Sequence, residues 1–230
     1  GGVEPESIAE VRALAAAAMR AVQFRAVTEA DWQTRALTVP GVTDAKATFR
    51  WTGSWHTVFV ALHPADPADL VTLPGGRVEL EPGFRRRAMA ALTRVRLAGY
   101  DMELDTAVYV PLRLVIRLCV ETGYFRGAIL REVGEVLSNR RFADGRVGFF
   151  HAGRIRFGEP VRLSRIIAAV QAVPGVSSLE VTAFHRYWAT PAGELETGVL
   201  PLGMFEVARL DNDRSLPENG VLELSAVGGL

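Results

Sequence analysis

The side chains that could do nucleophilic or metal chemistry are few and scattered along the sequence. Ser54 and His56 lie two residues apart in a predicted hairpin, but no nucleophile elbow surrounds them, so they do not have the pattern of a hydrolytic triad. A zinc site needs ligands at short, regular spacings, which are missing around the histidines: His56, His63, His151 and His185. The sequence therefore predicts neither a metal site nor a cofactor.

Acidic residues suggest two further kinds of site, a calcium-binding loop and a set of catalytic carboxylates, and neither pattern is complete. Asp211, Asp213 and Ser215 have the spacing that begins an EF-hand calcium loop, but Leu216 stands where that loop requires glycine. Three carboxylates could be considered for general acid–base catalysis, although no pocket-forming pattern surrounds them: Glu81, Glu103 and Asp105. We therefore expect a protein that is not an enzyme and has no catalytic residues.

Arginine and aromatic residues favour contacts with other proteins. The 26 basic residues balance 26 acidic ones, and a net charge of +0 gives no overall field that would attract nucleic acid or an anionic membrane. Arginine, tryptophan and phenylalanine are enriched in protein interfaces. The residues that we predict to lie in an interface are Arg85, Arg86, Trp51, Trp55, Phe149, Phe150 and Arg209.

The elements that position these residues include a unit that occurs twice: a short capped helix, a Val-Pro-Gly-Val turn and a strand. Thr28 and Ser164 are the predicted N-caps, and Asp31 completes a capping box with Thr28. The Pro-Gly pairs at 40–41 and 174–175 fit the central positions of type II turns. Two copies of one unit predict two similar subdomains.

Hydrophobic periodicity predicts the remaining elements. Alternation indicates strands, and a stripe at helical spacing indicates helices. The predicted strands are 45–51, 56–62, 102–108, 110–120, 179–188, 205–210 and 221–224. The predicted helices are 7–20, 125–137 and one that begins near Phe84 and ends at Gly99. Two short helices begin at Thr28 and Ser164 and are closed by the Val-Pro-Gly-Val turns. Residues 63–83 are predicted as a surface loop, and 140–160 show no clear period.

Together these elements predict an α+β fold. It consists of two similar small α/β subdomains, each with a mostly antiparallel sheet covered by helices, and an extended C-terminal tail. The predicted boundaries give a first subdomain at 1–108, a second at 109–210 and the tail at 211–230. No apolar run approaches the length of a membrane span, so no membrane insertion is expected.

Several short motifs occur in an order that resembles a known family. They are RAVTEADW (25–32), VPGV with a strand ending in RWTGSW (50–55), YVPL (109–112), GFF (148–150), RFGEPVRLSRIIAAVQAVPGV (156–176) and EVARLDNDRSLPENGVLELSAVGG (206–229). Together they resemble the C-terminal part of the baseplate J-like family of contractile phage tails and phage-tail-like injection systems. Full members of that family are longer, so the chain is expected to be part of a longer protein.

The resemblance implies a structural role with no catalytic residues. A protein of this family would be a wedge component of the baseplate that links the hub and spike to the tube and sheath and transmits the rearrangement of the baseplate. Its partners would be other wedge subunits and the hub, spike, tube and sheath proteins, and it would assemble in the bacterial cytoplasm without binding nucleic acid. Two alternatives stay open, a particle-associated glycan hydrolase and a stand-alone binding module. Irregular segments can rearrange at low cost, so 140–160 and the tail are the candidate switching segments.

Overall fold

Helices packed against small sheets form the α+β fold that the sequence predicted, and the sheets are mostly antiparallel. The computed structural model describes residues 7–21, 25–53, 55–73 and 77–230. Ser54, the start of the first predicted subdomain (1–6) and part of the predicted loop (74–76) lie outside the described residues.

The described helices and strands follow one another along the whole chain. The helices are α1 (Ile8–Ala21), α2 (Glu29–Ala36), α3 (Pro82–Thr93), α4 (Arg126–Val136), α5 (Leu163–Gln171) and α6 (Glu194–Thr197). The strands are β1 (Val42–Trp51), β2 (His56–Pro64), β3 (Leu70–Thr72), β4 (Val78–Leu80), β5 (Asp101–Thr106), β6 (Val108–Val120), β7 (Val161–Arg162), β8 (Val176–Arg186), β9 (Val199–Leu200), β10 (Glu206–Arg209) and β11 (Val221–Gly228). Two 3₁₀ helices lie at Pro67–Asp69 and Pro217–Asn219.

The first half of the chain forms a three-stranded sheet in the order β1-β2-β5. β1 and β2 are antiparallel, whereas β5 joins β2 in parallel. α2 buries Trp32, and α3 buries Phe84, Ala88 and Leu92, the apolar face predicted for it. Burying one large apolar side chain contributes about 1.5 to 3 kcal/mol, so these few residues hold the helices on the sheet.

The two Pro-Gly turns are formed as predicted. Gly41 and Gly175 have φ angles of +89° and +92°, values that favour glycine. The turns close with hydrogen bonds from Val42 N to Val39 O (3.1 Å) and from Val176 N to Val173 O (3.2 Å). Each turn therefore connects a short helix directly to a long strand, which is β1 in the first half and β8 in the second.

The two predicted N-caps have different outcomes. The Thr28 side chain accepts a hydrogen bond from Asp31 N and the Asp31 carboxylate accepts one from Thr28 N, so the predicted capping box is present. The Ser164 prediction was wrong, because α5 begins at Leu163 and its N-cap is Arg162. Arg162 has an extended backbone that ends β7, which leaves Ser164 within the first helical turn.

The second half is built around β6, whose alternation was predicted correctly. Every second residue from Val110 to Val120 is buried, while Arg113 and Arg117 on the other face are exposed. β8 pairs antiparallel with β6, and β10 and β11 pair in parallel with consecutive parts of it. The last strand is thus longer than the predicted 221–224.

Other local predictions were incomplete. Within the predicted loop 63–83, β3 and β4 form a small antiparallel hairpin, because Leu80 turns into the core. Phe125 was expected on the buried stripe of α4 but is exposed, since the chain enters the helix at that residue. Between the predicted strands 179–188 and 205–210, where no element was predicted, the chain forms α6 and β9.

The buried residues form two clusters rather than one. One surrounds the sheet of β1, β2 and β5, and the other surrounds β6 and β8. β6 begins at Val108, one residue before the predicted boundary, and the division into three domains stays a prediction. In the part of the chain that is described, no helix is both long enough and apolar enough to cross a membrane.

Candidate functional site

A cleft of about 690 Å³ opens where the two halves of the chain meet. Its apolar lining includes Leu70, Phe150 and Leu210, while Arg140 and Arg141 stand at its surface. β2 supplies one wall and the segment between α4 and β7 supplies another. The cleft therefore combines an apolar interior with positively charged side chains.

His63, near the end of β2, contributes a buried imidazole to the cleft wall. Its Nδ1 atom lies 3.1 Å from the hydroxyl of Tyr109 on β6, a hydrogen bond whose direction depends on the histidine tautomer. Burial lowers the pKa of His63 to about 4, against the opposing effect of the Asp44 carboxylate. Its Nε2 atom has no hydrogen-bond partner within the described residues. His63 is thus a neutral group at pH 7.

Burial has the opposite effect on the partner of His63. It raises the pKa of Tyr109 to about 12, because the phenolate would be the charged form. The guanidinium of Arg209 lies over the Tyr109 ring, 5.4 Å from its centroid. At neutral pH the pair of His63 and Tyr109 is therefore uncharged, which suits a structural contact between the two halves better than proton transfer.

A second polar contact joins the halves beside this pair. Arg156 Nη1 donates to the carbonyl oxygen of Thr43 (2.8 Å), and Phe157 N donates to Asp44 Oδ2 (2.8 Å). The Phe157 ring also packs edge-on against the imidazole of His63, with centroids 6.3 Å apart. The segment 140–160, which has no sequence period, is thus fastened to the start of β1 through specific polar groups.

Two carboxylates line the cleft, and both already have structural partners. Asp211 accepts hydrogen bonds from Arg209 Nε and Asn139 Nδ2, each at 2.8 Å. Asp66 Oδ1 accepts one from Ala68 N (2.9 Å), which caps the adjacent 3₁₀ helix. These contacts orient both carboxylates toward other groups of the same chain. The geometry therefore favours a structural role for Asp66 and Asp211 over a catalytic one.

The predicted interface tryptophans lie at the tip of the β1–β2 hairpin. Trp51 is 61% exposed and Trp55 is 51% exposed. Trp51 packs edge-on against His56, with ring centroids 5.2 Å apart. Large aromatic side chains left this open are suited to bury area against a partner at little cost in side-chain entropy. The tip is therefore a candidate contact surface.

The other predicted interface residues do not gather at that tip. Arg85 and Arg86 are exposed on α3. Phe150 is only 4% exposed and belongs to the core of the second half, while Phe149 is half-buried and packs against its ring at 5.0 Å. Arg209 is held by Asp211. Phe150 therefore offers almost no side-chain surface to a partner, because its own chain covers it.

The described residues that were considered for catalysis or metal binding do not come together at one site. Among the described residues, no group of three or more His, Cys, Asp or Glu side chains could hold a metal ion. Asp213 instead accepts a hydrogen bond from Ser215 N (2.8 Å) in a local turn. Asp44, Tyr109 and Phe157 were not singled out from the sequence. Contacts between residues 46 positions apart, as for His63 and Tyr109, or 113 positions apart, as for Asp44 and Phe157, leave no periodic signal.

The fold is shared with a chain of a prophage baseplate. The chain aligns with a chain of the anti-feeding prophage (AFP) baseplate, determined by cryo-electron microscopy and 6-fold symmetrised, with a TM-score of 0.52 and 15% sequence identity. The alignment covers 90% of this chain and 42% of that chain, so this chain spans less than half of the baseplate protein it matches. At this identity the likeness establishes the fold.

The sequence of the first half of the chain matches a family model. Residues 24–105 match the family model described as the Baseplate J-like central domain. These residues therefore belong to the baseplate J-like family, and the family resemblance of the sequence motifs is confirmed. The match is to the central domain, whereas the motifs suggested the C-terminal part. No curated protein matches the sequence.

Proposed function

We propose that the chain is a structural component of the baseplate of a contractile injection system or phage-like tail, and within it a wedge component. It would link the hub and spike to the tube and sheath and transmit the rearrangement of the baseplate. Assembly would take place in the bacterial cytoplasm, before the particle is released or retained.

One observation carries this proposal. Residues 24–105 match the Baseplate J-like central domain, and 90% of the chain aligns with the fold of a chain in the anti-feeding prophage baseplate. The structural match extends the likeness beyond residues 24–105 into the second half of the chain. Together the two matches favour a baseplate role over any other class of function.

The exposed tryptophans support a role in assembly. Trp51 and Trp55 project from a hairpin tip whose β1 strand is anchored in the core through Ala45 and Ala47. A rigid strand pair that presents two large aromatic residues is suited to act as an anchor in a partner's pocket. Arg85 and Arg86 on α3 provide a second, polar contact surface of the kind found at interface rims.

The joint between the two halves supports a role in transmission. It depends on individual polar contacts, among them those from Arg156 to Thr43 and from Phe157 to Asp44. Polar contacts of this kind resemble those between domains that change their relative position. The segment 140–160 would release or re-form them when the baseplate opens.

A stand-alone binding module is the second candidate, and the cleft of about 690 Å³ is the observation that favours it. The glycan hydrolase is less well supported. A glycosidase uses one carboxyl group as an acid and another as a base or nucleophile. The cleft carboxylates of Asp66 and Asp211 are instead engaged with Ala68, Arg209 and Asn139.

Deletion of the coding sequence in its native host tests the proposed function. Lysates of the deletion strain should contain no complete sheathed particles by electron microscopy, and a plasmid copy should restore them. Normal, contractile particles in the deletion strain would contradict the proposal. A variant with both tryptophans replaced by alanine should fail to complement while it still accumulates as a folded protein.

A further inference from the structure

Two stretches of this chain are rich in arginine: residues 85–96, with five arginines and no acidic residue, and residues 140–165. Residues 140–165, here called the arginine segment, contain seven arginines against one aspartate and one glutamate, a formal excess of five positive charges in a chain of net charge +0. All seven side chains are exposed: Arg140, Arg141, Arg146, Arg154, Arg156, Arg162 and Arg165. The rest of the chain must carry the balancing negative charge.

Several of these arginines have their guanidinium groups available. Arg146 is paired with Asp144 and Arg165 with Glu159. The side chains of Arg140, Arg141, Arg154 and Arg162 form no ion pair with any described residue. The pKa of His151 is lowered by its burial and by the nearby charges of Arg141 and Arg154, as expected in a positive local field. The arginine segment is therefore a surface that attracts carboxylates.

A matching negative surface lies on β5. Asp101, Glu103 and Asp105 alternate along this strand, so they share one face of the sheet, and all three are exposed. Asp101 and Glu103 form no ion pair within the described residues, and Asp105 accepts a hydrogen bond from Thr106 N (2.8 Å). We call these three residues the acidic strip.

The two surfaces belong to opposite edges of one sheet. The arginine segment is fastened to β1 through Thr43 and Asp44, while the acidic strip lies on β5, and β2 separates these two edge strands. Neither surface neutralises the other within one chain. Each surface is therefore available to another molecule.

We propose that the arginine segment of one copy binds the acidic strip of a second copy of this chain. Charge complementarity favours this partner, because each surface presents exposed charges of predominantly one sign and some of them form no ion pair. The contact joins two different patches, so it is heterologous and repeats from copy to copy, giving a ring or an open chain rather than a closed dimer.

Nucleic acid fits the arginine segment less well. Binding of single strands uses aromatic side chains on which bases stack, whereas Phe149 is half-buried and Phe150 lies in the core. Apolar side chains of the cleft between Arg140 and Leu210 instead offer a partly apolar surface beside the charges, as protein interfaces do. Binding of nucleic acid with no self-association would overturn the proposal.

The inference rests on the proposed function only in placing copies of the chain side by side. Sedimentation of the full chain is measured at about 20 mM and about 500 mM salt, because an attraction between exposed charges weakens with ionic strength. Self-association is expected at low salt and is expected to be lost at high salt. A chain that is monomeric at about 0.1 mM in low salt would overturn the inference and leave the baseplate role untouched.

Charge reversal identifies the two surfaces. The variants R140E/R141E and D101K/E103K should each weaken self-association about tenfold. A mixture of the two should associate, because the intact acidic strip of the first meets the intact arginine segment of the second and the two reversed surfaces are also opposite in charge. The four-fold variant that combines both reversals on one chain should recover self-association, because each reversed surface again meets its opposite. The matched control is R126E/R131E on α4, where both arginines are exposed and the association should stay unchanged.

Circular dichroism and thermal melting show whether each charge-reversal variant is still folded. The reversed residues are exposed, so all variants should melt within a few degrees of the wild type. Weakened association in the control variant, or no recovery in the four-fold variant with its fold intact, would contradict the proposed pairing.

Discussion

The backbone N–H of Phe157 donates a 2.8 Å hydrogen bond to Oδ2 of Asp44, across 113 positions of sequence. Asp44 Oδ1 accepts a second bond from Ala45 N (2.9 Å), so one carboxylate orders the start of β1 and holds the segment 140–160. This residue connects the two halves of the chain.

Replacement of Asp44 by alanine should loosen the joint. It leaves the partly buried N–H of Phe157 without an acceptor, which costs about 1 to 3 kcal/mol. Chemical denaturation measures the loss, and the Phe157 amide should exchange its hydrogen faster. Asp213→Ala is the control, because the Asp213 carboxylate accepts a hydrogen bond from Ser215 N within an exposed turn. Equal losses in the two variants would contradict the role given to Asp44.

Alanine substitutions of exposed tryptophans should affect assembly, whereas substitution of a buried tryptophan should affect folding stability. Trp51→Ala and Trp55→Ala should leave the free energy of unfolding nearly unchanged, since both side chains are more than half exposed, yet weaken incorporation into particles. Trp32→Ala removes a side chain that is 1% exposed and should cost about 3 to 5 kcal/mol. Particle yield and denaturation midpoints measure the two effects. Normal incorporation of the Trp51 and Trp55 variants would remove the hairpin tip from the interface.

His63 should make stability depend on pH. Its folded pKa of about 4 lies below the unfolded value of about 6.5, so between these values the unfolded chain binds more protons. The contribution is fully present above the unfolded pKa and is lost as pH falls toward 4, by about 3 kcal/mol in total.

Denaturation of the wild type and His63→Gln between these pH values measures this effect. Glutamine keeps an acceptor for Tyr109 but does not titrate, so the variant should lose most of the slope. Some slope should remain, because burial also lowers the pKa of His151. Parallel pH profiles for the two proteins would show that His63 is not the group responsible.

The two Pro-Gly turns should tolerate alanine differently. Both glycines have φ near +90°, which costs an alanine about 1 kcal/mol or more. At Gly41 the added Cβ would lie 3.2 Å from the Phe84 ring, whereas at Gly175 it would lie 2.6 Å from the Tyr124 ring. Gly175→Ala should therefore destabilise more than Gly41→Ala in chemical denaturation. The reverse order would contradict the packing around Tyr124.

Features that depend on neighbouring residues were predictable from the sequence. The Thr28 capping box and the Pro-Gly turns involve groups within four positions, and the alternation of β6 reports directly on its buried side. Ser164 had a suitable side chain, but β7 keeps the chain extended through Arg162 and moves the start of α5. Two of the motifs that carried the family resemblance, RAVTEADW (25–32) and RWTGSW (50–55), lie within the residues 24–105 that match the family model.

Features that depend on distant residues were not predictable. The parallel pairing of β5 with β2 requires a crossover through β3, β4 and α3, which no local pattern reports. Phe150 was taken for an interface residue because an aperiodic segment gives no sign of which aromatic side chain turns inward. The joint of Asp44, His63, Tyr109 and Phe157 forms only when both halves are folded.

Purification of the affinity-tagged protein from its native host tests the baseplate role most directly. Gentle elution followed by size exclusion and electron microscopy should recover the chain in sheathed, tail-like particles, with the tag located at one end. Recovery only as a free chain, from cells shown to contain such particles, would contradict the account.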